Sequence, residues 1–395
     1  MGMHESVAQI GMDIHRTFSR VTARDAQRRV VWRCRLEHRD RVALRRALSQ
    51  WPAGTPVVLE GSFGWSWMVD ELAQARLVPH LASSRKVAAW RKLHGLAKSN
   101  RTDADLLSLL GFEPARLWEV WLPPAAVRQQ REWLRYRMTL VHLQTGLKNR
   151  VHAILHRHGL FPEVVKLFGC TGRRWLQRLV QDRDCGLPDS ARATLQGYLQ
   201  LLDHLRLQIA RVTRTFHRQV QADPTATRLA TLPGIKWILG YTLRAEIGRI
   251  ERFPSARHLA SYSLLAPRAN DSGEEDDGPP QGRHVGHAGR RTLKWAYIEA
   301  AHGAVYKSPS LRGWFDEYTQ GGRQNRNRGY IGVARRLCQR SYVVWKKEVD
   351  YREEPASRPG SRAARRRRAR SVQGQLSTGE SPWRPADAMV PAATG

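Results

Sequence analysis

Acidic residues end two apolar stretches within the first 60 residues of the chain. Asp13 ends the run IGMD, and Glu60 ends the run VVLE. If both runs are neighbouring strands of one sheet, the two carboxylates lie close together and repel each other. A divalent cation such as Mg²⁺, which prefers oxygen ligands, is the usual reason to tolerate that repulsion. Taken singly, each residue is more simply explained as a turn acid or a helix cap.

The segment KSNRTDADLLSLL supplies a further pair of candidate ligands. Asn100 and Asp103 are three residues apart at the predicted start of a helix, so they project from one face. Asp103 could then complete a metal site formed by Asp13 and Glu60. The structural alternative is also plain, because Asn100 or Thr102 can cap the helix, and an acid in the first turn interacts favourably with the helix dipole.

A serine, Ser272, lies far downstream in a polar, glycine-rich stretch with the sequence PRANDSG. A serine beside glycine in a long loop is ordinarily a turn residue. Its hydroxyl is a weak nucleophile at neutral pH and needs a base or a metal to take its proton. It also needs cations to stabilise the transition state, and several arginines are available nearby: Arg268, Arg283, Arg290 and Arg291.

The elements that must position these residues follow from hydrophobic periodicity. Residues 7–14, 17–23 and 29–36 have strand-like patterns joined by tight connections, which predicts a three-strand meander. The pattern then predicts helices and strands in alternation over 39–50, 57–59, 65–75 and 78–81. The resulting order β-β-β-α-β-α-β-α is that of α/β ribonuclease-H-like domains.

Two long helices are predicted downstream, because apolar residues recur at helical spacing over 125–158 and again over 195–216. They can pair within one chain or between two subunits, so both an antiparallel and a dimeric coiled coil remain open. A mainly helical region and a basic, Arg-rich tail follow, and the tail is expected to be disordered. The predicted domains are residues 1–118, 119–222, 223–351 and 352–395.

The charge of the chain indicates a polyanionic partner. The sequence of 395 residues contains 66 Lys and Arg against 35 Asp and Glu, a formal net charge of +31. Repulsion among so many positive charges destabilises a compact state unless nucleic acid or another polyanion binds. No apolar run is long enough for a membrane span and no signal peptide is recognisable, which predicts a cytoplasmic protein. Four dispersed cysteines predict neither a disulfide framework nor a zinc ribbon.

Taken together, the segments IGMDIH, VVLEGSFGW, SNRTDA, LPGI, LLAPRANDSG and HAGRRTL resemble the DEDD-motif insertion-sequence transposases, which are bridge-RNA-guided serine recombinases. The resemblance covers about residues 7–350. It implies a RuvC-like N-terminal domain in which Asp13, Glu60 and Asp103 are the first, second and fourth Mg²⁺ ligands. Asn100 stands at the third position and brings no charge, which predicts weaker metal binding. Asp105 could substitute for it, or this copy could be impaired.

The resemblance further implies that Ser272 is the nucleophile and forms a covalent 5′-phosphoserine intermediate. A guide RNA would choose the DNA sites, and the protein would act as a homo-oligomer, a dimer or tetramer. The predicted function is therefore a DNA transposase or recombinase with donor and target DNA as partners. Two alternatives stay open: a RuvC-like metal-dependent nuclease or junction resolvase that forms no serine adduct, and a non-catalytic nucleic-acid-binding protein.

Overall fold

The computed structural model describes residues 6–93, 95, 100–113, 117, 119–268, 284–285 and 290–353, with the backbone alone at 100–101, 267–268 and 284–285. The chain divides into two compact units, Met1–Pro124 and Ala125–Gly395. None of the described helices is both long and apolar enough to cross a membrane.

The first unit is built on a mixed five-stranded sheet with the order β3-β2-β1-β4-β5. The strands are β1 (Gln9–Ile14), β2 (Phe18–Arg24), β3 (Val30–Glu37), β4 (Pro56–Glu60) and β5 (Val78–Ala82). Strands β1, β2 and β3 form an antiparallel meander, whereas β4 is parallel to both β1 and β5. The ribonuclease-H-like arrangement predicted from the sequence is confirmed.

Within the described residues this sheet is accompanied by the helices α1 (Arg41–Leu48), α2 (Trp65–Gln74), α3 (Ser84–Leu93) and α4 (Asn100–Leu110). Helix α4 packs directly on β1 at Gly11, where a Cβ atom would overlap the backbone of Ser108 and the carbonyl oxygen of Ala104. The absence of a side chain at residue 11 therefore allows α4 to pack closely against β1.

The second unit begins with a hairpin of two long helices, α5 (Ala125–Arg157) and α7 (Asp189–Ala222), with α6 (Cys170–Gln181) between them. Val151 and Ile154 of α5 share a core with Leu195 of α7, whereas Leu134 near the start of α5 shares one with Phe216 near the end of α7. The two helices are therefore antiparallel and pair within one chain, as one of the two alternatives from the sequence predicts.

The described helices that follow the hairpin share a core, and two of them also contribute residues to the core of the hairpin. The helices of the shared core are α8 (Pro224–Leu229), α9 (Trp237–Ile247), α10 (Ala256–Tyr262), α11 (Arg291–Lys307), α12 (Pro309–Thr319) and α13 (Arg326–Lys346). Tyr241 of α9 stacks on Phe216 of the hairpin with ring centroids 3.9 Å apart. The fully buried Tyr297 of α11 forms a 2.6 Å hydrogen bond with Ser341 of α13. The hairpin and the C-terminal helices are thus parts of one packed unit.

A two-stranded ribbon, β6 (Pro267–Arg268) with β7 (His284–Val285), joins α10 to α11. Ser272 and Arg283 lie between these strands and outside the described residues. Residues 354–395 also lie outside them, so the nucleophilic serine and the disordered tail stay predictions.

Candidate metal centre

Two of the predicted acidic ligands lie on adjacent parallel strands. Asp13 is in β1 and Glu60 is the last residue of β4. Met12 pairs with Leu59 in the parallel register, so the next residues along each strand, Asp13 and Glu60, are neighbours at the same edge of the sheet. Asp13 is only 9% exposed, and Glu60 is partly buried.

The third acid, Asp103, belongs to the first turn of α4 and is buried. Burial is the main cause of the raised pKa of Asp13; the charge of Asp103 adds to it, whereas His15 opposes it. Burial likewise raises the pKa of Glu60, with smaller contributions from Asp13 and Asp103. The three carboxylates predicted from the sequence therefore share one electrostatic environment.

A positive charge that the sequence did not single out lies among these acids. The Arg91 guanidinium on α3 is 2.9 Å from Asp103 Oδ1, and the two side chains are only 12% and 10% exposed. Its charge also acts to lower the pKa of Asp13 and of Glu60, although burial outweighs it at both. Arg91 thus supplies part of the positive charge that three clustered carboxylates require.

One carboxylate oxygen here has unused hydrogen-bonding capacity within the described part of the chain. Asp103 Oδ1 is close to Arg91 but not aligned for a hydrogen bond. His15 Nε2 is 2.9 Å from Asp13 Oδ2, and its hydrogen bond and charge both act to lower the pKa of Asp13. Buried polar atoms normally have hydrogen bonds, so a buried carboxylate oxygen with an ion pair but no hydrogen bond is an observation that fits a cation ligand.

The donor set matches a hard divalent cation, because carboxylate oxygens are the ligands that Mg²⁺ and Ca²⁺ prefer. Among the residues that the structure describes, however, no three His, Cys, Asp or Glu side chains stand close enough together to hold an ion as they are. The acids interact through their charges but are not drawn around one point. Binding an ion would require these side chains to converge and Arg91 to yield its position beside Asp103.

The fourth predicted ligand, Asn100, is the first residue of α4, three residues before Asp103. Its side chain is not among those described, so its role stays a prediction. Asp105 has different partners. Its carboxylate accepts a 2.7 Å hydrogen bond from Thr22 and two from Arg33, of 3.0 and 3.1 Å. These bonds lower its pKa against the opposing effect of burial and hold it against β2 and β3. Asp105 therefore does not take the place of Asn100 here.

Two stretches of the chain match family models. Residues 10–160, which include Asp13, Glu60, Asn100 and Asp103, match the DEDD transposase model of the IS110 type. Residues 226–317, which include Ser272, match the model described as transposase IS116/IS110/IS902 family. The chain belongs to the IS110 family of transposases. The resemblance recognised in its sequence motifs is confirmed.

Individual relatives of this IS110-family chain are distant. It is 22% identical over 275 residues to a transposase for insertion sequence element IS1328 of Yersinia enterocolitica, covering 68% of this chain and 79% of that one. It is 24% identical over 183 residues to a transposase for element IS1111A of Coxiella burnetii, covering 45% and 49%. It is 32% identical over 145 residues to a pilin gene-inverting protein of Moraxella bovis, covering 36% and 42%. The chain thus spans about half or less of the Coxiella and Moraxella relatives.

Proposed function

We propose that this protein is an insertion-sequence transposase that cuts DNA and rejoins it to new partners. The observation that carries the proposal is the cluster of Asp13, Glu60 and Asp103 at one edge of a ribonuclease-H-like sheet, within the stretch that matches the DEDD transposase model. The net charge of +31 supports a nucleic-acid substrate. Donor and target DNA are the proposed partners.

The acidic cluster would hold a divalent ion, and we propose Mg²⁺. Asp13, Glu60 and Asp103 would be its ligands, with the Asn100 amide oxygen at the remaining position. Such an ion, when bound, stabilises the negative charge that develops on a phosphate during strand breakage. The carboxylates of this chain would hold the ion in place.

Ser272 is the proposed nucleophile. Its oxygen would attack a DNA phosphorus and displace the 3′ oxygen of the neighbouring nucleotide, which takes up a proton. A 3′ hydroxyl of the new partner would then attack the phosphoserine ester and return the serine hydroxyl. The position of Ser272 within the second family match supports this role, as does a relative named for gene inversion, since inversion rejoins the strands that it cuts.

By the same resemblance, a guide RNA would select the DNA sites and a homo-oligomer would carry out the reaction. The second candidate function is a metal-dependent DNA nuclease or junction resolvase. The acidic cluster favours it specifically, because acids and a metal ion are sufficient for hydrolysis without a serine adduct.

The two functions differ in whether DNA becomes attached to protein. The full chain would be incubated with Mg²⁺, RNA transcribed from the sequence beside its gene, and a nicked suicide substrate. A protein–DNA adduct on denaturing gels, mapped to Ser272 by mass spectrometry, is the expected result. Ser272→Ala should abolish the adduct and strand exchange. Ser261→Ala, which removes an exposed hydroxyl of α10, is the matched control and should leave both intact.

Glu60→Gln should block the reaction by removing a metal ligand while leaving DNA binding intact. Strand cleavage that persists in Ser272→Ala without an adduct would refute the serine mechanism and establish the nuclease. DNA binding without cleavage by the wild-type protein, with and without RNA, would contradict both.

A further inference from the structure

Two arginines hold the C-terminal end of α9 in the second unit. Arg131 donates hydrogen bonds of 2.9 and 2.8 Å to the carbonyl oxygens of Ala245 and Glu246. Arg252 donates one of 2.9 Å to the carbonyl oxygen of Ile247. The last carbonyls of a helix have no partner within the helix and carry partial negative charge. These two arginines therefore have a structural role, which explains the burial of Arg131 and the half-buried position of Arg252.

A third arginine, Arg290, joins this group through Tyr262. Its Nε atom donates a 2.9 Å hydrogen bond to the Tyr262 hydroxyl, and its backbone N–H donates one of 3.2 Å to the Tyr262 carbonyl oxygen. The Arg252 guanidinium lies 4.4 Å from the centre of the Tyr262 ring. The phenol is thus held between two guanidinium groups.

This placement changes the chemistry of the phenol. Burial by itself would raise the pKa of Tyr262, but the charges of Arg290 and Arg252 and their hydrogen bonds lower it. A hydroxyl that accepts hydrogen bonds from both arginines keeps its own proton to donate. That O–H group is a better donor than an ordinary phenol, because the neighbouring positive charges favour the departure of its proton.

Arg290 has donors to spare in the same place. Its Nε atom donates to the Tyr262 hydroxyl and lies 3.7 Å from Glu246 Oε2. The two terminal nitrogens of the guanidinium have no acceptor among the described residues. The Arg290 side chain is 36% exposed, so a ligand can reach it. Glu246 Oε2 is also 3.8 Å from Arg131, so one buried carboxylate lies between two arginines. Three guanidinium groups, those of Arg131, Arg252 and Arg290, still outnumber this one carboxylate, so the class of ligand that the site accommodates is an anion.

We propose that Arg290 and Tyr262 bind one backbone phosphate of DNA and that Arg252 holds Tyr262 in the orientation that this requires. The planar fork of an arginine matches two phosphate oxygens, and the Tyr262 hydroxyl adds a third donor. A phosphodiester carries a single negative charge, which suits a site already containing Glu246. The inference rests on the proposed function, in which DNA is the substrate.

The test measures DNA affinity of the full chain by fluorescence anisotropy at several salt concentrations. Arg290→Gln should lower the slope of log affinity against log salt by about one, the change expected for one lost phosphate contact. Tyr262→Phe should weaken binding by about 12- to 140-fold, the range for one hydrogen bond to a charged group, without changing the slope. The double variant should lose less than the two single losses combined, because both residues act on one phosphate.

Arg257→Gln is the matched control, since it removes the same charge from an exposed position of α10. Its effect on the free energy of DNA binding should simply add to that of Tyr262→Phe in the double variant. Arg290→Lys should retain the salt slope but bind more weakly than wild type, and thermal denaturation checks that each variant is folded.

Three results would overturn the inference. Folded variants at residues 262 and 290 that bind DNA as Arg257→Gln does would make the cluster purely structural. Losses seen with a labelled RNA but not with DNA would assign the site to another ligand. A wild-type chain that binds no DNA would end the proposed function as well, whereas wild-type binding with unaffected variants would end only this site.

Discussion

Replacing Arg91 with glutamine tests the electrostatics of the acidic cluster. The Arg91–Asp103 distance of 2.9 Å corresponds to an attraction of about 1.4 kcal/mol at the dielectric constant of water and about 6 kcal/mol at an effective value of 20. Both side chains are almost nine-tenths buried, which favours the larger value, but the variant no longer has to desolvate a guanidinium. We therefore expect Arg91→Gln to lower the free energy of unfolding by about 3 kcal/mol in metal-free buffer at pH 7.

The assay must separate the two units, because each can unfold in its own transition. Hydrogen exchange of the backbone amides of β1 and β4 reports the first unit alone. The matched control is Lys92→Gln, which removes a neighbouring but exposed positive charge of α3 and should change little. Adding Mg²⁺ should restore most of the stability of Arg91→Gln, because the ion then neutralises the carboxylates. Calorimetric titration should also show tighter Mg²⁺ binding by this variant than by wild type.

Equal exchange rates in Arg91→Gln and Lys92→Gln without metal would refute the idea that Arg91 balances the acids. Equal Mg²⁺ affinity in the variant and the wild type would show that Arg91 and the ion do not compete for the same carboxylates.

Three further substitutions test the first unit and its site. Glu71 accepts hydrogen bonds of 2.6 Å from Arg45 and 3.0 Å from Arg41, and the bond from Arg45 is the main cause of its lowered pKa. Glu71→Gln should lower the free energy of unfolding by about 1 kcal/mol at pH 7, a small value because both arginines are exposed to solvent. The difference from wild type should be fully present above the ordinary pKa of about 4.5 and should disappear as the pH falls through the lowered pKa of Glu71. Urea unfolding at each pH measures it. Gly11→Ala should destabilise the first unit by about 3 kcal/mol or more, since the methyl group would overlap the backbone of α4, and unchanged exchange in β1 would contradict this. Asn100→Asp should tighten Mg²⁺ binding in calorimetry, and an unchanged titration would mean that residue 100 does not touch the ion.

The fold of the first unit was largely predictable because its strands are short apolar runs bounded by polar turns. The same pattern predicts the adjacency of Asp13 and Glu60, since each ends a run and the runs are neighbours in this topology. Arg91 was not predictable. It is one of several basic residues in the stretch SRKVAAWRKL, and only the packing of α3 determines which of them turns toward the acids.

The pairing of the long helices was left open for a related reason. An apolar stripe has the same spacing whether its partner is in the same chain or in another. The burial of Arg131 was also not predictable from the sequence, because a charged residue in such a helix is normally expected at the surface. It is buried here because the carbonyl oxygens at the end of α9 accept its hydrogen bonds.

The helical hairpin has a mechanical consequence. With 33 residues, α5 is about 50 Å long. Its base shares a core with Phe216 and Tyr241, so the two helices extend from that core as a stiff lever rather than as a flexible tether. On an arm of this length, a tilt of about 5° at the base displaces the far end by about 4 Å. A change of side-chain rotamer around Phe216 could cause a tilt of this size. The tip of the hairpin would then move by more than the length of a hydrogen bond.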